Sequence, residues 1–185
     1  MQVRRADAAD AQGIAEVHVR VWQIGYAPFI DPAYAATLSV RTSTMRWLAS
    51  LADPLQADTV VAVEEIARTD PTLSNPLSEI GEGAGSDVLG WTSYGVNRNG
   101  LGLEVGEVYG IYVDPDHWGA GIGADLLIDA TRALCEAGFQ RAILWVLAED
   151  RLAREFYEAR GWQDEGVSAP HESGANVVRY AKDLA

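Results

Sequence analysis

Apolar positions along the chain change their spacing several times, and each change marks an element. Ile14, Val17, Val21 and Trp22 recur at helical spacing, with His18 on the same stripe. This predicts a first helix ending near Trp22. Asp7 or Asp10 can cap it, because an Asp side chain accepts from the free N–H groups of a first turn. Gly25 and Pro28 interrupt the pattern. A looser helical stretch covers residues 32–51, anchored by Leu38, Met45, Trp47 and Leu48. Residues 58–66, DTVVAVEEI, are β-branched and read as a strand.

Residues 68–87 hold Pro71, Pro76, Gly81, Gly83 and Gly85 among few large apolar side chains, which predicts a mobile loop between two strands. Strands resume at 88–96 and 105–113, joined through the Asn99-Gly100 turn signal. A helix over 121–138 carries Ile122, Leu126, Leu127, Ala130 and Leu134 on one face. A buried strand at 141–147, a helix at 150–160 and strands at 161–166 and 176–182 follow. Residues 1–5 read as an edge strand. The order β-α-α-β-β-β-α-β-α-β-β predicts one mixed α/β domain over 1–185, with a loop insertion at about 68–87.

Composition narrows the function. Lys and Arg number 14 against 27 Asp and Glu, a formal net charge of −13. Such a chain lacks the basic footprint for nucleic acid or an anionic membrane surface. Lys182 is the single lysine, which argues against Schiff-base chemistry. Cys135 is alone, and His18, His117 and His171 are far apart, so neither a disulfide nor a metal site is expected. The opening residues do not resemble a signal peptide, and no apolar run approaches a membrane span. A soluble, cytoplasmic protein is expected.

The segment richest in chemistry is 107–127, EVYGIYVDPDHWGAGIGADLL. A strand ends at Val113, Asp114-Pro115 turns the chain, and Gly119, Gly121 and Gly123 lead into an amphipathic helix. Glycines let a ligand approach the backbone, and a helix start offers free N–H groups and a positive dipole end. That combination binds phosphate without a basic side chain. A flexible strand–helix connection is the plainer alternative. Gly119, Gly121 and Ala124 also satisfy the G-x-G-x-x-G/A pattern of a dinucleotide-binding oxidoreductase. Against that reading, DPDHW separates strand from glycines, and a meander precedes them.

VDPDHWGAGIGADLL resembles the acetyl-CoA-binding motif of the GNAT superfamily of N-acetyltransferases. LWVLAEDRLAREFYEARGW resembles that superfamily's second motif, and HVRVWQIGYAPFIDPAY is similar to a bacterial subgroup. The resemblance implies the GNAT fold, a mixed and mostly antiparallel sheet flanked by helices. It implies acetyl transfer from acetyl-CoA to a small-molecule or peptide amine, in a ternary complex and without a metal. A non-catalytic acyl-CoA sensor on the same fold is the alternative, and a homodimer is left open.

Carried onto this chain, the resemblance implies that the pantetheine arm pairs with the backbone of Ile111, Tyr112 and Val113, with the Val113 N–H as oxyanion donor. Trp118, Gly119, Ala120, Gly121, Ile122, Gly123 and Ala124 would hold the pyrophosphate. Asp150, Ala153 and Phe156 would complete the cofactor side. Many members carry Arg or Gln at Trp118 and a basic residue at Ala120, so side-chain help for the phosphates is lost here. Asp150, often Asn, is either a cofactor contact or a helix cap. Glu107 is the implied general base, with Glu104 or ordered water as alternatives, and Tyr157 the general acid. Strand alternation would put Glu107, Tyr109, Ile111 and Val113 on one face. Trp22, Tyr26, Trp91, Tyr94 and Tyr109 are candidates for the acceptor pocket, with core packing as the alternative. His18 is read as a core histidine.

Overall fold

A computed structural model describes residues 1–53, 57–64 and 88–184. Its strands are β1 (Gln2–Arg5), β2 (Asp58–Val63), β3 (Val88–Val96), β4 (Val105–Val113), β5 (Arg141–Leu147), β6 (Gln163–Pro170) and β7 (Asn176–Asp183). The helices are α1 (Ala11–Arg20), α2 (Pro32–Thr37), α3 (Val40–Ala52), α4 (Ile122–Glu136) and α5 (Arg151–Glu158). The strands form one sheet in the order β1-β2-β3-β4-β5-β7-β6. Every neighbouring pair is antiparallel except β4 and β5. The expected loop insertion at 68–87 lies outside the described residues.

Hydrophobic alternation explains the layering. In β2, Val60 and Ala62 join the core under α4, while Val61 and Val63 pack with Ile14, Val17 and Val21 of the α1 layer. From Val60 to Val63 the strand is apolar because helices cover both of its faces. The α4 side also buries Leu126, Leu134, Leu144, Trp162 and Tyr180.

Two helical expectations change. Residues 32–51 form two helices rather than one, with Leu38 and Ser39 extended between them. Leu38 and Met45 are seven residues apart, which suits one helix or two, so periodicity is blind to this break. The first helix ends at Arg20 and continues as a π-type turn over Val21–Gly25, where Tyr26 N–H donates to the Val21 carbonyl at 3.0 Å. Such turns recur at functional sites.

The alternation expected along β4 is also corrected. Ser93 pairs with Gly110 and Tyr94 with Val108, so Tyr109 is the extra residue of a β-bulge. A bulge reverses alternation beyond it. Ile111 and Val113 therefore pack toward α4, whereas Glu107 and Tyr112, five residues apart, share the α1 face.

Candidate active site

The parallel pairing of β4 with β5 runs from Val105–Arg141 to Val108–Leu144 and stops there, although both strands continue. Beyond that point they splay. Asp114 N–H donates to Leu89 on β3 at 2.8 Å, so alternate residues Tyr112 and Gly110 also bond β3. Ile111 and Val113 therefore turn their N–H and C=O groups into the gap. The Trp118 indole N–H donates to the Val113 carbonyl at 2.7 Å. A strand edge free inside a sheet is a ready template for an extended ligand. For Tyr112 the expectation is corrected: its backbone faces β3, and its ring packs on the α1 side against Trp91.

The glycine loop lies beside this gap. Gly119 and Gly121 have φ of +81° and +86°, which favour glycine, and a Cβ on either would meet nothing within 4 Å. The cradle is thus open where a ligand would press against the backbone. Among the described residues the N–H groups of Gly119, Gly121, Ile122 and Gly123 have no backbone acceptor. A Cβ on Gly123 would stand 3.6 Å from both Phe156 and Val113, so α4, α5 and β4 converge there. Arg160 lies 3.9 Å over the Phe156 ring.

On α5, Asp150 is the N-cap, with Oδ1 accepting from Ala153 N–H at 3.0 Å. Tyr157 is buried at 9% exposure against Phe156, Trp162 and Tyr180. Its hydroxyl has no hydrogen bond among the described residues. Burial raises its pKa above the tyrosine range, and Tyr112 and Asp150 add to this. Burial likewise raises Tyr26, with Tyr112, Tyr157 and Asp150 contributing. Of these groups, Tyr26 and Tyr112 lie with ring centroids 6.4 Å apart.

The α1 side of the mouth is a wall of rings. Trp22 touches Tyr26 at 5.1 Å, Tyr34 at 5.4 Å and His171 at 5.5 Å, the last stacked. Trp91 stacks on Tyr112 at 4.5 Å and lies buried behind it with Trp47. His171, on the β6–β7 turn, and Tyr34 join this wall although no local sequence pattern points to either. The turn is held by Asp31 N–H donating to Ser173 at 2.8 Å and by the Tyr34 hydroxyl on Glu172 at 3.1 Å. Sequence offers no signal for this contact between segments some 140 positions apart. His18 completes the wall 4.8 Å from Tyr112; burial lowers its pKa to about 4, so it is neutral at physiological pH. Tyr94 is not part of it. Three residues from Trp91, it falls on the opposite face and packs under α4.

Glu107 is in place on β4, but its carboxylate is engaged. Oε2 accepts from Arg98 N–H at 2.8 Å and Asn99 Nδ2 at 3.1 Å; Oε1 accepts from the Arg98 guanidinium at 2.6 and 3.2 Å. Glu104 sits out on the turn, its carboxylate against Gly102. A separate cavity of about 740 Å³ lies lower on the sheet, where Arg141 and Arg179 both pair with Glu165. It lies away from the splay. Among the described residues no group of three His, Cys, Asp or Glu could hold a metal ion. No described helix is long and apolar enough to cross a membrane.

A sequence model of the Acetyltransferase (GNAT) family matches residues 45–162, more than half of the chain. The chain belongs to that family. The GNAT fold then accounts for the splayed sheet and the glycine loop, and the dinucleotide alternative is set aside. An uncharacterized N-acetyltransferase of Methanocaldococcus jannaschii is 39% identical over 64 residues, covering 35% of this chain and 28% of that protein. A mycothiol acetyltransferase of Nocardiopsis dassonvillei is 34% identical over 90 residues, covering 46% and 27%. The aligned regions thus span less than a third of these two relatives' lengths. Among solved structures, the PaiA N-acetyltransferase of Thermoplasma acidophilum, in complex with coenzyme A, superposes with a TM-score of 0.68. It is 17% identical, and the match covers 96% of each chain. At that identity the likeness establishes the fold.

Proposed function

We propose that this GNAT chain transfers the acetyl group of acetyl-CoA directly to a primary amine, with both substrates bound together. One observation carries the reading: the β4 edge, unpaired at Ile111 and at the Val113 N–H, and the open glycine loop face the same gap. The residues fit coenzyme A. The free main-chain N–H groups of Gly119, Gly121, Ile122 and Gly123 meet the pyrophosphate at the positive end of α4, and Gly119 and Gly121 present no Cβ to it. The β4 edge meets the pantetheine arm. The coenzyme A complex of the PaiA neighbour supports this use of the fold.

Bound acetyl-CoA supplies the activated acetyl group. Val113 N–H is the oxyanion donor, most effective in a site that excludes water. Tyr157 keeps its proton at neutral pH and can hand it to the departing sulfur. The amine must be neutral to attack, and an alkylammonium has a pKa of about 10. Its proton passes to water held at the free carbonyl of Ile111. Glu107 fits that task less well, because four donors occupy its oxygens. The rings of Tyr26, Tyr34, Tyr112 and His171 seat the body of the acceptor.

The test is thiol release from acetyl-CoA across a panel of amines, aminoglycosides, amino acids and peptides. Steady, amine-dependent release is expected. Coenzyme A binding without release for any amine would make the chain an acyl-CoA sensor, a reading that the engaged Glu107 carboxylate favours.

A further inference from the structure

The place that Arg98 occupies has the chemistry of a cation site. Its floor is the Glu107 carboxylate, 2% exposed, and its wall is the face of Tyr109, 4.1 Å from the Arg98 guanidinium carbon. A carboxylate beside an aromatic face binds ammonium and guanidinium groups, the first by charge and the second by the ring quadrupole. Tyr109 is fixed in that orientation by its hydroxyl, which donates to the Val96 carbonyl at 2.6 Å. The occupant is the least committed part of the arrangement, since the Arg98 side chain is 63% exposed.

The turn does not depend on that side chain. Asn97 builds it, with Oδ1 accepting from Asn99 and Leu101 N–H and Nδ2 donating to Gly102 and Val105 carbonyls. Oε2 of Glu107 is satisfied by Arg98 main chain and Asn99, so it stays satisfied if the guanidinium leaves. Only Oε1 loses its donors. The Glu107 carboxylate is buried, so Oε1 needs a cation beside it; the exposed Arg98 side chain can give up that place only to another positive group.

The site is also joined to the acceptor wall. The bulge at Tyr109 turns Glu107 and Tyr112 to one face, and the Arg98 charge is felt at Tyr112, where it opposes the burial that raises the phenol. From Glu107 to Ile111 the strand spans about 13 Å at ~3.3 Å per residue. A cation on Glu107 is therefore not the nitrogen that reacts at Ile111 and Val113. It is a second positive group on the same molecule.

We infer that Glu107 and Tyr109 form a distal cation subsite, filled by the protein's own Arg98 until an acceptor carrying a second cationic group displaces it. The acceptor class is thus amines with two well-separated positive centres. The substrate half of this inference rests on the proposed acetyl transfer; the subsite itself does not.

Two measurements separate the halves. The first needs no activity: melting temperatures of wild type, Arg98→Ala and Arg98→Ala with Glu107→Gln are taken in 0–20 mM guanidinium chloride, far below denaturing levels. Guanidinium should raise the melting temperature of Arg98→Ala alone. Absence of that rise, or an equal rise in the double variant, overturns the subsite. Should Arg98→Ala not fold, Arg98→Lys, which keeps the charge and loses the fork, should show a smaller rise on the same scale. The second measurement compares 1,8-diaminooctane with 8-amino-1-octanol as acceptors. KM for the diamine should fall at least fivefold in Arg98→Ala, with KM for the amino alcohol unchanged. Equal changes for both acceptors overturn the substrate class. No turnover by wild type with any amine overturns the acetyl transfer, while the melting result still decides the subsite.

Discussion

Gly121 and Gly138 bracket α4, and the pair isolates what the glycine loop does. Both have positive φ, +86° and +95°, and at neither would a Cβ meet anything within 4 Å. Changing either to Ala should cost the same left-handed backbone strain, roughly 1–2 kcal/mol. At about 2–4 °C per kcal/mol for a chain of this size, both variants should melt about 2–8 °C lower. Only Gly121 lies at the N-terminal end of the helix, where free N–H groups face the proposed pyrophosphate. A ligand at 100 times its Kd stabilises by about 2.7 kcal/mol. If the added methyl weakens binding about thirtyfold, the same concentration stabilises by only about 0.9 kcal/mol. The assay is thermal melting of wild type, Gly121→Ala and Gly138→Ala, with and without coenzyme A. Wild type and Gly138→Ala should share one coenzyme A shift, and that of Gly121→Ala should be about a third as large. An undiminished shift in Gly121→Ala would refute the phosphate cradle, and an equal loss in both variants would reduce it to a stability effect.

Tyr157→Phe should lower turnover roughly 10²-fold, the usual cost of a lost general acid, while the melting temperature holds, because the hydroxyl has no partner among the described residues. Asp150→Asn should melt as wild type, since Asn caps equally well, whereas Asp150→Ala should lose about 1 kcal/mol in urea unfolding; if Asp150 also faces the coenzyme, the Asn variant should bind coenzyme A more tightly by calorimetry. Burial lowers the His18 pKa from its ordinary 6.5 to about 4, so the unfolded state binds the extra proton between those values and stability falls as pH drops through that window. Its share between pH 7 and pH 5 is about 2 kcal/mol; His18→Leu should lessen the acid loss in urea unfolding by that amount, and an unchanged loss would mean that His18 protonates freely in the folded state.

Local chemistry makes much of this protein legible in its sequence. The apolar run of β2, the Asn99-Gly100 turn and the glycines before α4 each act over a few residues, so the chain order of strands and helices follows from them. The two motifs that resemble the GNAT superfamily carry the fold, and Asp150 caps its helix as an Asp before a helical stripe should. Contacts between distant segments were not legible. One extra residue at Tyr109 reverses the facing of β4, and periodicity cannot register it, because neither the backbone hydrogen bonds of β3 nor the covering helices are local to that strand. Arg98 stands next to the Asn99-Gly100 turn signal, and only folding sets its guanidinium on Glu107. His171 reads as an isolated histidine until the β6–β7 turn stacks it on Trp22. Short-range propensity and burial pattern decide which elements form. Only the packed sheet decides which side chains share a face, which edge is left unpaired, and therefore where the chemistry sits.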